Sequence, residues 1–488
     1  MRDHSLIRLL KSFSKAEIKE FSEFISNSYF NKRKAVKKLY ELIKKHYPDF
    51  IAKDLEKERI FSELFPGKKF NENSVTVMIH YLQDLAKKFV AVKKFQSDKL
   101  EYNFHLESEL FRRKQFANPE KVLEKHLKEL DPSEYNSEIY YLHRHRIKYD
   151  RMYYLYEANS GVYEKFINKL DLQGTFYEFH CHYLLKSMRM YLILLQTEKI
   201  YNKSFEKKLF EKMFKNISVA DHNDAPIVQI YYYLIRMLKD NNNEKYYFEV
   251  KELLKKNLGA VHYDDIHEIY INMHNFCKRK LAEGNQHFQK EEFEIVIQQL
   301  RAKSYIINDG MSPIFYRNAV NSGLKLNEHS WVRNFINEFK DDLQEDFRKS
   351  TFLCCSAQYE FAMKNYDRSL ELLATAKFDE IYQKYDAKVL QMMIYYETGA
   401  EESLLSSLEA FRHFLQNNKI LPGVKKKFYL NFYKFFNRIV LIRNRKDKLA
   451  LIKTKEELTV EISVNNKDWL LKKIDEILIP TYKIKRPA

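Results

Sequence analysis

Glycine and proline are scarce in this chain, nine of each in 488 residues. They are the two strongest helix breakers, so their scarcity argues against a turn-rich sheet architecture and predicts almost uninterrupted helix. The few glycines are scattered, which leaves no cluster able to bring backbone amides onto a phosphate. There is no GxSxG and no strand-to-helix nucleophile turn. Four cysteines, Cys181, Cys277, Cys354 and Cys355, form no CxxC pair, the pattern of a reduced compartment where thiols serve as small buried apolar groups. Neighbours on a helix point about 100° apart, so Cys354 and Cys355 are expected as a buried thiol pair without a disulfide. Long apolar runs are missing too. Tyr191–Leu195 is among the longest, far below the roughly 20 residues that span a bilayer. Asp3, Lys11, Lys15 and Glu17 fall where a signal peptide would need apolar residues. The expectation is a soluble, cytoplasmic chain without a membrane span.

Side chains that commonly do chemistry are present without a supporting pattern. His267, His274 and Cys277, with Asp264, fall near one helix face, but ligands strung along one helix cannot surround a tetrahedral zinc ion. His180, Cys181 and His182 point in different directions on a helix, as do the acid pairs Asp264/Asp265 and Asp341/Asp342. No HExxH occurs. The expectation is no catalytic residue, no cofactor and no metal: a non-enzymatic protein.

What is abundant is aromatic. The chain has 35 tyrosines and 36 phenylalanines within a 45% apolar fraction, ample for a continuous core between helices. Helix-breaking or turn-compatible residues fall between apolar-periodic segments at Gly161, Asn202, Asn243, Gly284, Gly323, Lys364 and Gly399. By subtraction the steps are 41, 41, 41, 39, 41 and 35, which fits two helices of about four turns plus two loops. The predicted architecture is all-α, an α-solenoid of antiparallel helix pairs with a period of about 35–41 residues. A brief alternation at Val460, Ile462 and Val464 predicts an extended link before a last helix from about Trp469 to Ile477.

One stretch carries more than a period. AQYEFAMKNYDRSLELLATAKF, residues 357–378, resembles a tetratricopeptide hairpin: Tyr366 matches the aromatic after the turn, Ser369 the small residue where two helices touch, and Ala376 the small residue near the end of the second helix. Lys364 departs from the pattern, standing where the family usually places glycine. The next unit, MIYYETGAEESLLSSLEAFRHFL, supplies that glycine as Gly399 and a small Ala410, with spacing that drifts by about a residue. The resemblance is specific over about 60 residues and architectural beyond them. It implies a tetratricopeptide-like superhelix holding proteins or peptides in a concave groove, and it implies no chemistry. The opening of the chain also resembles that of a group of uncharacterised bacterial all-helical proteins of similar length.

Residues 1–95 stand outside the series, with tighter helices punctuated by Pro48, Pro66 and Gly67, and predict a separate N-terminal helical domain. The repeat body then runs over 96–480 and a basic tail over 481–488. Asparagines able to cap a helix precede Val75, Ile79, Leu82, Leu85 and Phe89, which share one face, with Thr76, His80, Gln83 and Lys87 on the other. This resembles the second half of a helix-turn-helix, and such a domain before a tetratricopeptide array is the layout of several families of bacterial transcription regulators.

The formal charge is +17, and it sits at the ends. Lys plus Arg against Asp plus Glu gives 22 − 13 for residues 1–100, 45 − 47 for 101–420 and 17 − 7 for 421–488. Localised positive charge attracts nucleic acid or acidic partners, and solvated lysine-rich helices give the same pattern. The front cluster includes Lys32, Arg33, Lys34, Lys37 and Lys38; the rear one includes Lys425, Lys426, Lys427, Arg443 and Arg445. A third candidate is the helix of residues 140–157, where Arg144, Lys148 and Arg151 share a face opposite Leu142, Tyr149, Tyr153 and Tyr156. As a plain repeat helix, its tyrosine stripe would be buried and its basic stripe wet. Together these features predict a protein- or peptide-binding scaffold or adaptor, with nucleic-acid binding through the basic ends as the alternative.

Overall fold

The computed structural model describes residues 4–50, 55–115, 119–130, 137–158, 167, 170–307, 310–378, 381–417, 421, 423–445 and 447–478. Among these the chain is all-α: 23 α-helices and one hairpin of two-residue strands. Gly161 and the basic tail at 481–488 lie outside the described residues. No described helix is long and apolar enough to cross a membrane. The chain divides into two compact units, one of residues 1–126 with 154–160 and the other of residues 127–153 with 161–488.

Unit 1 holds α1 (Ser5–Lys11), α2 (Lys15–Ser26), α3 (Lys34–Lys44), α4 (Lys57–Leu64), α5 (Glu72–Ser97) and α6 (Lys99–Arg112). Short polar side chains start these helices where sequence places them. Ser14 and Glu17 form a reciprocal capping box at α2, and Asn71 accepts from the Ser74 amide at α5. The apolar face read from the sequence of α5 is the buried one: Val75, Ile79, Leu82, Leu85 and Phe89 all lie in the core. α5 packs against α1, α2, α3 and α4 as the central strut of this unit. Phe21 meets Tyr40 edge-on at 4.9 Å and Phe89 at 5.2 Å, pairs that each add about 0.5–1.5 kcal/mol beyond their area burial. α4 and α5 are joined through residues 65–71, a longer connection than the three or four residues of a DNA-reading helix-turn-helix. The boundary expected near residue 95 falls inside α5.

α7 (Pro119–Glu129) and α8 (Glu138–Ala158) run across the division between units. Unit 2 continues with α9 (Leu172–Tyr201), α10 (Lys208–Lys215), α11 (Pro226–Lys239), α12 (Lys245–Asn257), α13 (Tyr263–Ala282), α14 (Phe288–Arg301), α15 (Pro313–Lys325) and α16 (His329–Glu338). Then come α17 (Glu345–Ala362), α18 (Tyr366–Thr375), α19 (Ile381–Thr398), α20 (Glu401–Asn417), α21 (Gly423–Arg445), α22 (Lys448–Val460) and α23 (Lys467–Leu478). β1 (Ile306–Ile307) and β2 (Gly310–Met311) pair antiparallel between α14 and α15.

Consecutive helices pack as pairs: α11 on α12, α13 on α14, α15 on α16, α17 on α18, α19 on α20 and α21 on α22. The first members also touch across pairs, α9 with α11, α11 with α13, α15 with α17 and α17 with α19. α9 in addition touches α21, far along the chain. The first helices end at residues 201, 239, 282, 325, 362 and 398, steps of 38, 43, 43, 37 and 36 by subtraction.

The turns explain the departures from pattern. Asn202, Gly284, Lys364 and Gly399 all take the left-handed conformation, which lets the chain leave a helix and reverse. Lys364, at the position where glycine was expected, adopts φ 63° all the same. Gly323 is different: it lies inside α15, where an added Cβ would come within 2.6 Å of Val332 Cγ2, and Asn327 makes the left-handed turn there instead. Gly323 is a close-approach glycine between α15 and α16. Ser369 is buried and donates its hydroxyl to the Ala357 carbonyl at 2.7 Å, joining α17 to α18, and Tyr366 packs on Phe361. Ala376 follows directly after α18, half-buried, and Ala410 is exposed, with Leu404, Leu408 and Phe411 burying that helix instead. The final helix α23 falls where it was expected, but Val460 of the alternation is helical and closes α22, so the link runs over residues 461–466, with Val464 buried and Ile462 exposed.

Candidate interaction surfaces

The front basic cluster opens α3. Its apolar residues Val36, Leu39, Tyr40 and Ile43 occupy the buried face, which leaves Lys34, Lys37 and Lys38 on the outer one beside Lys32. All four lysines are exposed, and no carboxylate pairs with them among the described residues. Arg33 is the exception, since its guanidinium lies 3.5 Å over the Tyr81 ring and also bonds the Tyr81 hydroxyl. Four unpaired ammoniums and one stacked arginine make this a localised positive patch.

The α8 stripe is inverted relative to the repeat-helix expectation. Leu142, Tyr149, Tyr153 and Tyr156 are exposed, and the basic residues turn inward onto α9. Arg144 Nε donates to Glu178 Oε1 at 2.6 Å, and Lys148 reaches Glu178 at 3.3 Å and Asp171 at 3.1 Å. Lys148 thereby holds the Asp171 carboxyl below its ordinary range. Glu178 is 5% exposed, so these cations neutralise a buried carboxylate and are not presented to a polyanion. Arg151 is half-buried.

The rear cluster divides. Lys427 lies 3.8 Å from Glu461, and Arg443 sits over the Tyr396 ring at 5.0 Å. Arg445 is exposed and Lys426 half-buried. Lys425 is exposed one turn before the buried Tyr429 on α21, whose hydroxyl donates to Asp386 Oδ1 on α19 at 2.8 Å.

An apolar surface feature on α9 was not singled out by the sequence. α9 buries Cys181, Leu184, Leu185, Met188, Tyr191, Leu192 and Leu195 on one side. On the other it exposes Leu172, Phe176, Phe179, Tyr183, Met190, Ile193 and Ile200. Steps of four and three residues carry this outer stripe along the helix, with Lys186 and Thr197 as its polar interruptions. Phe176 and Ile193 are 67% and 59% exposed, which for large apolar side chains marks an uncovered surface. His145 of α8 packs between Tyr149 at 5.9 Å and Phe179 at 5.0 Å, so Tyr149 extends the same face. A 3.5-residue spacing of this kind is the pattern by which one helix receives another.

The histidines and the cysteine of α13 are packed against neighbouring side chains and backbone. His267 Nδ1 lies 2.9 Å from the Ser304 carbonyl, while His274 is buried 3.3 Å from Glu292 and burial pushes its pKa well below the ordinary range. Cys277 is buried, and burial pushes its thiol up to about 12. Cys354 and Cys355 are both buried and form no disulfide. Among the described residues no group of three or more His, Cys, Asp or Glu side chains is arranged to hold a metal ion.

Comparison with protein-family models, with curated proteins and with solved structures finds no match to this chain.

Proposed function

We propose that this chain is a non-enzymatic scaffold or adaptor, a tetratricopeptide-like α-solenoid that docks an amphipathic helix of a protein partner. The pairing of consecutive helices, the repeated contacts between first helices and the left-handed turn residues support the solenoid. The observation that carries the function is the outward stripe of α9 from Leu172 to Ile200. An apolar stripe of this length stays exposed at a cost unless something covers it, and heptad-like spacing favours a helix as the cover. The docking surface is thus the outer face of α9 with Tyr149 of α8.

Site-specific photocrosslinking in source cells tests it, with the reactive side chain placed at Phe179 or Met190 and, as control, at Ala410. Adducts at the first two positions to an amphipathic segment of one other protein are expected. Adducts only to this same chain would make the stripe a self-association seam, and equal labelling at Ala410 would refute a specific surface.

A second proposal rests on the front lysines. Lys32, Lys34, Lys37 and Lys38 stand free of carboxylates, as a nucleic-acid contact requires, and the +9 balance of residues 1–100 (22 − 13) surrounds them. Binding of that kind would weaken steeply with salt and vanish when these lysines are changed to glutamate.

A further inference from the structure

Four first helices of unit 2 bring a charged cluster together away from the α9 stripe. Lys278 on α13 donates to Asn318 Oδ1 on α15 at 2.7 Å. The adjacent Arg317, almost fully buried, reaches past α17 to Asp386 on α19 at 3.5 Å. Asp386 also accepts from Tyr429 on α21 at 2.8 Å, and Lys425 lies one turn before Tyr429. The contact from α15 to α19, with α17 between them in sequence, brings these side chains together across three consecutive first helices. Within this group the formal charges are Lys278, Arg317 and Lys425 against Asp386, three minus one, or +2.

Two of the three cations lack an anion of their own. Arg317 is committed to Asp386, whereas among the described residues neither Lys278 nor Lys425 has a carboxylate within ion-pair distance. Lys325 does not relieve them, because it pairs with Glu292, 3.9 Å away, beside His274. Lys278 keeps solvent access and is nonetheless hemmed in by protein. Burial, together with Lys325, Lys425 and Arg317 and against the pull of Glu292, pushes its pKa down to about 8. Three cations held together by a fold around one carboxylate, with solvent access at Lys278 and Lys425, describe an anion site.

We infer that Lys278, Lys425 and Arg317 form a binding site for a phosphoryl dianion, either free phosphate or the phosphomonoester of a small molecule. A phosphate monoester carries about −1.5 to −2 charge at neutral pH, which matches the +2 of the cluster, where a single carboxylate would leave one ammonium uncompensated. Lysine binds phosphate as a point charge and needs no planar fork, so the prior engagement of Arg317 does not spoil the site. Asn318 and Tyr429 fix the geometry through Lys278 and Asp386.

The test is acetylation of the full chain near pH 8, where Lys278 is the more nucleophilic for its lowered pKa, with modification at each lysine read by mass spectrometry. Inorganic phosphate, adenosine monophosphate and chloride are compared at matched ionic strength. Phosphate or the nucleotide should slow modification of Lys278 and Lys425 at least about fivefold, with chloride inert and Lys34 unaffected. Protection by both compounds means that the phosphoryl group is recognised alone; protection by the nucleotide alone means a phosphomonoester. The double variant Lys278→Gln/Lys425→Gln should bind at least about tenfold more weakly by calorimetry. No protection at millimolar concentration, or equal protection by chloride, overturns the site. Because none of these residues lies on α9, crosslinking through Phe179 and Met190 succeeds or fails independently of this result.

Discussion

Replacing Arg189 by methionine should be among the most damaging single changes in unit 2. On α9 its Nη2 donates to Asp265 Oδ1 of α13 at 2.5 Å, its Nε to the Tyr231 hydroxyl of α11 at 3.1 Å and its Nη1 to Glu138 Oε2 of α8 at 3.3 Å. Tyr231 donates to the same Asp265 oxygen at 2.6 Å, so one guanidinium ties four helices through a carboxylate that is 1% exposed. Stripping one partner from a buried ion pair costs about 3–5 kcal/mol, because the remaining charge is left without compensation. The Arg189 side chain is 32% exposed, so water relieves part of that cost and about 2–3 kcal/mol is the better expectation. Urea unfolding followed by tryptophan fluorescence reads it directly, since both tryptophans, Trp331 and Trp469, lie in unit 2. Asp265→Asn in the Arg189→Met background should return about 1–2 kcal/mol of coupling by removing the stranded charge. A change within about 0.5 kcal/mol for Arg189→Met would show that the network does not hold these helices together.

Three further outcomes follow from particular contacts. Lys199 and Lys278 are both pushed down to about 8 by burial, so the folded chain releases their protons before the unfolded chain does. Their contribution to stability therefore rises from about pH 8 towards pH 10, and the tyrosines Tyr40 and Tyr270, pushed up to about 12, reverse the trend above that. Cys181 and Cys277, whose thiols burial pushes up to about 12, lower stability from about pH 9 in either chain, so the melting temperature of the native chain should climb across this range relative to that of Lys199→Met/Lys278→Met. Ser369→Leu should lose about 1–3 kcal/mol by overpacking the α17–α18 contact, while Ala410→Leu on the exposed face stays within about 0.5 kcal/mol, both read by thermal unfolding. Gly399→Ala, forced to φ 72° in open space, should lose about 1 kcal/mol, and Lys364→Gly should gain about 0.5 kcal/mol by relieving the same strain.

The all-α class was legible from the scarcity of glycine and proline, and the turns at Asn202, Gly284, Lys364 and Gly399 from their composition. Gly323 misled because glycine serves close approach as well as reversal, and only the neighbouring Val332 distinguishes the two. On α8 the helical faces were separated correctly, but which face is buried was decided by Glu178, about 30 residues away and invisible to local periodicity. The α9 stripe was hidden because that helix is apolar on two sides, so its outer set could not be told from its core. The cluster of Lys278, Arg317, Asp386 and Lys425 draws on four helices spread over about 150 residues, a juxtaposition no spacing rule contains.

The central claim is best tested by affinity capture of the tagged full chain from its source cells after nuclease treatment. The native chain would be run beside Phe176→Asp/Ile193→Asp and beside Lys34→Glu/Lys37→Glu/Lys38→Glu. A protein retained by the native chain and the lysine variant, and lost with the α9 variant while that variant stays folded, is the predicted result. A partner that vanishes on nuclease treatment and on lysine reversal, and survives the α9 changes, would contradict the scaffold account and move the function to the basic front of unit 1.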